Sequence, residues 1–242
     1  MSAGGERPAV PDLAALGRGA WGTFVHGPSR PVLLRVLFAM ATANDPSPIW
    51  VDLRGPDNAP DLGGPAELGW IPDHNLFIVS ASDARPQDAM GNLALWTMIR
   101  SDEPDAAVSQ LTDFLRLPSA VQEAVSRAGG AGARPMFVVA NSDRVRDYYP
   151  RDARGVRPII DAMIHSGVLP LFGSTSPPGA GRMAFDFVFE VRAAGLDEAR
   201  AGVLFCEKAP PHSGFPEGSS HMLSSFPAIA AALDAQPSRA TF

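Results

Sequence analysis

The sequence predicts an α/β protein with a mainly parallel central sheet and an antiparallel hairpin at its C-terminal edge. Short β-rich apolar runs alternate with helical patterns from residue 21 to residue 172, the order that builds parallel sheets. Two more strand-like runs, 185–192 and 201–207, then follow each other with only a short connection between them. No fixed-period repeat stands out and no linker divides this region. Residues 1–209 therefore read as one domain, and residues 210–242 as a Pro/Ser/Gly-rich tail with one short helix at 226–233.

Residues 21–25 (WGTFV) are an aromatic and β-branched run that stops at Gly27-Pro28, as a buried strand does. Pro31 sits where a helix starts, and residues 32–42 are apolar all round, which suits a helix covered on several sides. Residues 49–53 (IWVDL) and 76–80 (LFIVS) read as the second and third strands. Residues 86–99 read as a helix, with Leu93, Trp96 and Met98 among its apolar positions. Two more helices are expected at 105–115 and 119–127, parted at Leu117-Pro118. Residues 135–140 (PMFVVA) are the clearest strand, with Asn141-Ser142-Asp143 at its end. A helix from about 154 to 165, stopped by Gly167, leads to a strand at 168–172 and a polar loop at 173–182 (GSTSPPGAGR).

Composition narrows the function classes. The net charge is −6, so no overall basic field draws the chain to nucleic acid or to an anionic membrane. The longest apolar run, near residues 31–43, contains Arg35 and is too short for a membrane span. The first residues carry Glu6 and Arg7 without an apolar core, unlike a signal peptide. Cys206 is the single cysteine, which fits a reducing, cytoplasmic setting. Of 20 basic side chains only Lys208 is lysine, so any mechanism that needs a lysine must use it.

Three segments in this order resemble the RecA/KaiC-like branch of the P-loop ATPases. Residues 19–27 (GAWGTFVHG) resemble the entry into the phosphate loop, and residues 138–143 (VVANSD) resemble the Walker B strand. Residues 185–192 and 202–209 resemble the closing strands. The resemblance spans roughly residues 13–208 and implies a three-layer RecA-like fold.

The departures bear on activity. A working loop, G-x-x-x-x-G-K-[ST], wraps phosphates in backbone N–H groups, adds a lysine charge and binds Mg²⁺ through a hydroxyl. Counted from Gly27, the second Gly, the Lys and the Ser/Thr fall on Val32, Leu33 and Leu34. The vestigial loop is Gly27, Pro28, Ser29 and Arg30, where proline removes an N–H donor. The vestigial Walker B is Asn141, Ser142 and Asp143. Asn141 is neutral where a carboxylate would hold Mg²⁺, and the nearest carboxylate, Asp143, stands two residues further along. The expectation is a degenerate member without ATPase catalysis, a regulatory or scaffolding pseudo-ATPase. An atypical nucleotide-binding or slow ATPase and an unrelated Rossmann-like enzyme are the alternatives.

Other side chains carry chemistry of their own. Arg30 and Arg35 stand near the start of the helix at 32–42, as anion holders or as ordinary paired arginines. By position Lys208 resembles a basic residue directed at a neighbouring subunit's nucleotide; the plain reading is a strand-end lysine. His212 and His221, near Cys206 and Glu207, match no established zinc spacing, and Gly173-Ser174-Thr175-Ser176-Pro177 lacks the last glycine of G-x-S-x-G. No catalytic residue, metal or cofactor is expected. Arg144–Arg157 interleaves arginine with Tyr148 and Tyr149, and Tyr148, Tyr149, Arg151 and Arg154 form the expected partner surface. The expected partner is a protein or a second copy.

Overall fold

The computed structural model describes residues 10–19, 21–46, 48–54, 76–80, 95–98, 134–144, 156–165 and 167–235. Nine strands occur among them: β1 Thr23–His26, β2 Ile49–Arg54, β3 Leu76–Ser80, β4 Leu95–Met98, β5 Met136–Val139, β6 Leu169–Ser174, β7 Phe187–Arg192, β8 Val203–Lys208 and β9 Ser220–Met222. They form one mixed sheet in the order β4-β3-β2-β5-β6-β1-β7-β8-β9. Every neighbouring pair from β4 to β7 is parallel, and β8 and β9 add antiparallel pairings at one edge. The α/β class, the mainly parallel sheet and the antiparallel C-terminal edge are thus present.

Three helices accompany the sheet in the described residues: α1 Arg30–Thr42, α2 Val156–His165 and α3 Pro227–Asp234. Ser29 is the N-cap of α1 and Pro31 lies in its first turn, where a missing N–H costs nothing. Nine residues of α1 are buried, Arg35 among them. The reason is placement: α1 lies between the sheet and α3, sharing its core with Val25, Val138 and Leu171 below and Ile229 and Ala232 above. On the opposite face α2 buries Ile160 and Met163, beside the aromatic group Phe24, Phe172 and Phe185.

Polar ties fix the helix ends. Met136 N–H donates to the buried Asp45 carboxylate at 3.0 Å, joining the residues after α1 to the start of β5. The Asn44 amide donates to Leu13 O at 3.1 Å and Met40 O at 2.8 Å, anchoring the N-terminal 3-10 turn Leu13–Gly17.

Two readings of the sequence change. The helix expected at 86–99 does not reach its end, because residues 95–98 are strand β4, paired in parallel with β3 from Phe77↔Leu95 to Ser80↔Met98. A four-residue apolar run has no periodicity that separates helix from strand, and sheet pairing decides it. Of the tail expected at 210–242, residues 210–235 hold the expected short helix as α3, and they add β9 and the buried side chains Phe215, Leu223, Phe226 and Ile229. Serine, proline and glycine there form the turns between these core contacts. The helices expected at 105–115 and 119–127 lie outside the described residues. No helix among the described residues is long and apolar enough to cross a membrane.

Candidate functional site

The candidate site lies at the carboxyl ends of β1, β5 and β6, where open parallel sheets receive ligands. Four of the buried polar side chains gather on these strands or just after them: His26, Ser29, Asn141 and Ser174. Parallel register sets His26 beside Ser174 of β6 and Glu190 of β7.

The β1–α1 turn comprises Gly27, Pro28 and Ser29. A Cβ on Gly27 would stand 2.5 Å from the Val191 carbonyl oxygen, so only glycine permits this approach to β7. The Gly27 N–H donates to Ser174 O at 3.2 Å. Pro28 has no N–H. The Ser29 carbonyl accepts from Leu33 N–H at 2.9 Å, and its hydroxyl makes no capping bond. Arg30 opens the helix, half-buried. Val32, Leu33 and Leu34 follow at 0%, 0% and 2% exposure.

After β5 the chain turns into the 3-10 segment Ser142–Arg144, which ends the strand alternation and swings Asp143 toward β6. One carboxylate oxygen of Asp143 accepts from the Ser174 hydroxyl at 2.5 Å. The other accepts from Thr175 N–H at 3.1 Å and the Thr175 hydroxyl at 3.3 Å. The Ser142 hydroxyl donates to Gly173 O at 2.8 Å, and Asn141 is buried. The sequence-derived segments at 141–143 and 173–182 therefore meet. One Asp143 oxygen thus serves the last residue of β6 and the other the first residue after it.

Other candidates are engaged within the chain. Arg35 is 4% exposed and donates to Pro31 O at 3.2 Å and to Ala235 O at 3.4 Å, behind the turn and toward α3. Burial lowers its pKa. Lys208 donates to Phe185 O, and its strand runs antiparallel, so it sits level with Phe24 and Val188 and away from the β1–α1 turn. Cys206 faces the core, and its thiol is pushed up to about 11 by burial, with Glu217 and Glu207 adding to the rise. His221 Nε2 lies 3.2 Å from the Ser219 hydroxyl, and burial lowers its pKa. Tyr148, Tyr149, Arg151 and Arg154 lie outside the described residues.

His26 escaped the sequence reading. Its Nε2 lies 3.1 Å from Glu207 Oε1, with only 7% of the His26 side chain exposed. One histidine ending an apolar strand carries no local signal for a partner 181 positions away. No family model matches the chain, and no curated protein matches it.

Proposed function

We propose that this chain is a degenerate RecA/KaiC-type domain, a pseudo-ATPase that acts in regulation or scaffolding through protein contacts. The β1–α1 turn carries the reading. A phosphate loop needs enough backbone to wrap its N–H groups around phosphate oxygens. Here three residues separate strand from helix, one is proline, and the Gly27 N–H is bonded to Ser174. The positions where the resemblance would place glycine, lysine and a hydroxyl residue hold core side chains instead. Leu33 and Leu34 stabilise the α1 packing by about 1.5–3 kcal/mol each, so the fold depends on what replaced the loop.

Order within the sheet supports the RecA-type part. The β1–α1 turn and the Asn141–Asp143 segment end on the same edge with β6 between them, and antiparallel strands close the sheet. A self-associating or partner-binding role follows from a domain of this kind whose phosphate-loop position is filled. The test combines phosphate release from Mg-ATP with light scattering of the purified chain. The expected result is no release above background and a mass above that of the monomer. Turnover abolished by Asn141→Ala or Arg30→Ala overturns the reading.

A further inference from the structure

We propose that β9 and α3 form an exchangeable arm, and that two copies of this chain associate by seating each other's arm on α1 and β8. This rests on the self-association reading and names the surface that performs it.

The arm depends on its seat. The helix α3 has eight residues, too few to hold a helix alone in water. Docking orders it: Phe226, Ile229 and Ala232 are buried in the core shared with α1. At its end the Arg35 guanidinium meets the Ala235 carbonyl, a cation placed where helix carbonyls attract one. Arg200 pairs with Asp234 at the exposed rim at 2.5 Å. The strand β9 pairs with β8 through Val203↔Met222 and Phe205↔Ser220. Arg35, Arg200, β8 and the α1 core all lie outside the arm, so the arm of a second copy satisfies them equally.

The connection to the arm is short and turns on one glycine. Phe215 anchors the preceding loop edge-on to Phe187 and Phe189, with ring centroids 5.9 and 5.2 Å away. From there Pro216–Ser219 makes a tight turn closed by Ser219 N–H to Pro216 O at 3.0 Å, with Gly218 at φ +81°. This turn keeps the arm on its own body, and an extended connection delivers it to a neighbour. A Cβ on Gly218 meets nothing within 4 Å, so the cost of a larger residue falls first on the left-handed backbone, whose N–H donates to Cys206 O at 2.8 Å. Valine disfavours the left-handed turn and leaves the extended connection unpenalised.

The test measures light scattering over a concentration series for the native chain and Gly218→Val. It also joins Arg200→Cys to Asp234→Cys with a short bis-maleimide in a Cys206→Ala background. Gly218→Val is expected to raise the association constant at least about tenfold, given the size of a left-handed penalty. Crosslinked dimer bands are expected on denaturing gels from the dimer fraction, and internal crosslinks from the monomer fraction. Dimers that yield only internal crosslinks overturn arm exchange while self-association stands. A native chain and Gly218→Val that both stay monomeric at every concentration overturn both readings. Crosslinking of the Arg200→Cys, Asp234→Cys chain with Gly218 retained decides the matter if Gly218→Val fails to fold.

Discussion

His26 and Glu207 touch through a β-bulge. In the β7–β8 ladder Val188 opposes Lys208 and Phe189 opposes Cys206, leaving Glu207 as the extra residue. A bulge re-aims side chains, and here Glu207 keeps the face of Phe205 and Glu190 while Lys208 is turned to oppose Val188. Glu207 reaches the imidazole at the end of β1, and Lys208 reaches the Phe185 carbonyl. Arg182 returns the tie by donating to the Glu207 carbonyl, so the segment between β6 and β7 is laced to β8 beyond β7.

Glu207→Ala is expected to destabilise the fold by about 1–3 kcal/mol, because it leaves a buried imidazole nitrogen without its partner. Glu207→Gln keeps an acceptor at that place and is expected to cost less. Urea unfolding of the three proteins at neutral pH checks the order. Equal midpoints for all three would show that the contact adds nothing.

Restoring the missing lysine is expected to fail. Leu33→Lys places an ammonium at a position with 0% exposure, inside the α1 core. Burying an unpaired charge and losing the packed leucine both act against folding, by at least about 3 kcal/mol together. Thermal melting should show a strong loss of stability, and calorimetry no gain of ATP affinity. A folded Leu33→Lys that binds Mg-ATP contradicts the closed-turn account.

How much of this was legible beforehand follows the range of the forces. The strands at 136–139 and 169–174 carry the continuous apolar runs MFVV and LPLF, and that local pattern identifies them. The antiparallel pairing of β7 with β8 is legible from their short connection, whereas the parallel pairing of β7 with β1 is a long-range choice that no local pattern reveals. The missing lysine was readable, since residue type alone decides it. The Asp143–Ser174 contact was not, because it joins a 3-10 turn to the end of a strand 31 positions away. The segment 210–235 looked like a tail because its buried residues are spaced singly among turn formers. Phe215 and Phe226 carry more packing than their surroundings suggest.

Cys206 is expected to be inert to thiol reagents in the folded protein. Its pKa of about 11 keeps it protonated at neutral pH, and its side chain is buried. The raised value also sets a sign. The folded state holds this proton more tightly than the unfolded state, so the contribution is complete below about pH 9 and is lost as pH rises toward 11. Labelling with a maleimide near neutral pH should proceed only after denaturant is added. Fast labelling of the native protein contradicts this placement.

Acid should loosen the chain at His221. This histidine lies opposite Leu204 in the β8–β9 pair, with Phe226 edge-on at 6.0 Å and the Ser219 hydroxyl on Nε2. Burial disfavours its charged form and lowers its pKa from 6.5. A depressed base is neutral in the fold while the unfolded chain binds a proton, so its stabilising contribution is complete above about pH 6.5 and falls as pH drops through that value. Phe226 caps α3, so an imidazolium there acts on the docking of the arm as well as on β9. His221→Gln cannot take up that charge. Wild type is therefore expected to lose stability relative to His221→Gln between about pH 7 and pH 5, the range in which histidine changes charge. Urea midpoints at the two pH values measure the difference, which cancels the contributions of the other titrating groups. A histidine proton resonance for His221 that titrates at or above the ordinary midpoint, or a gap between the two proteins that does not change with pH, would overturn this expectation.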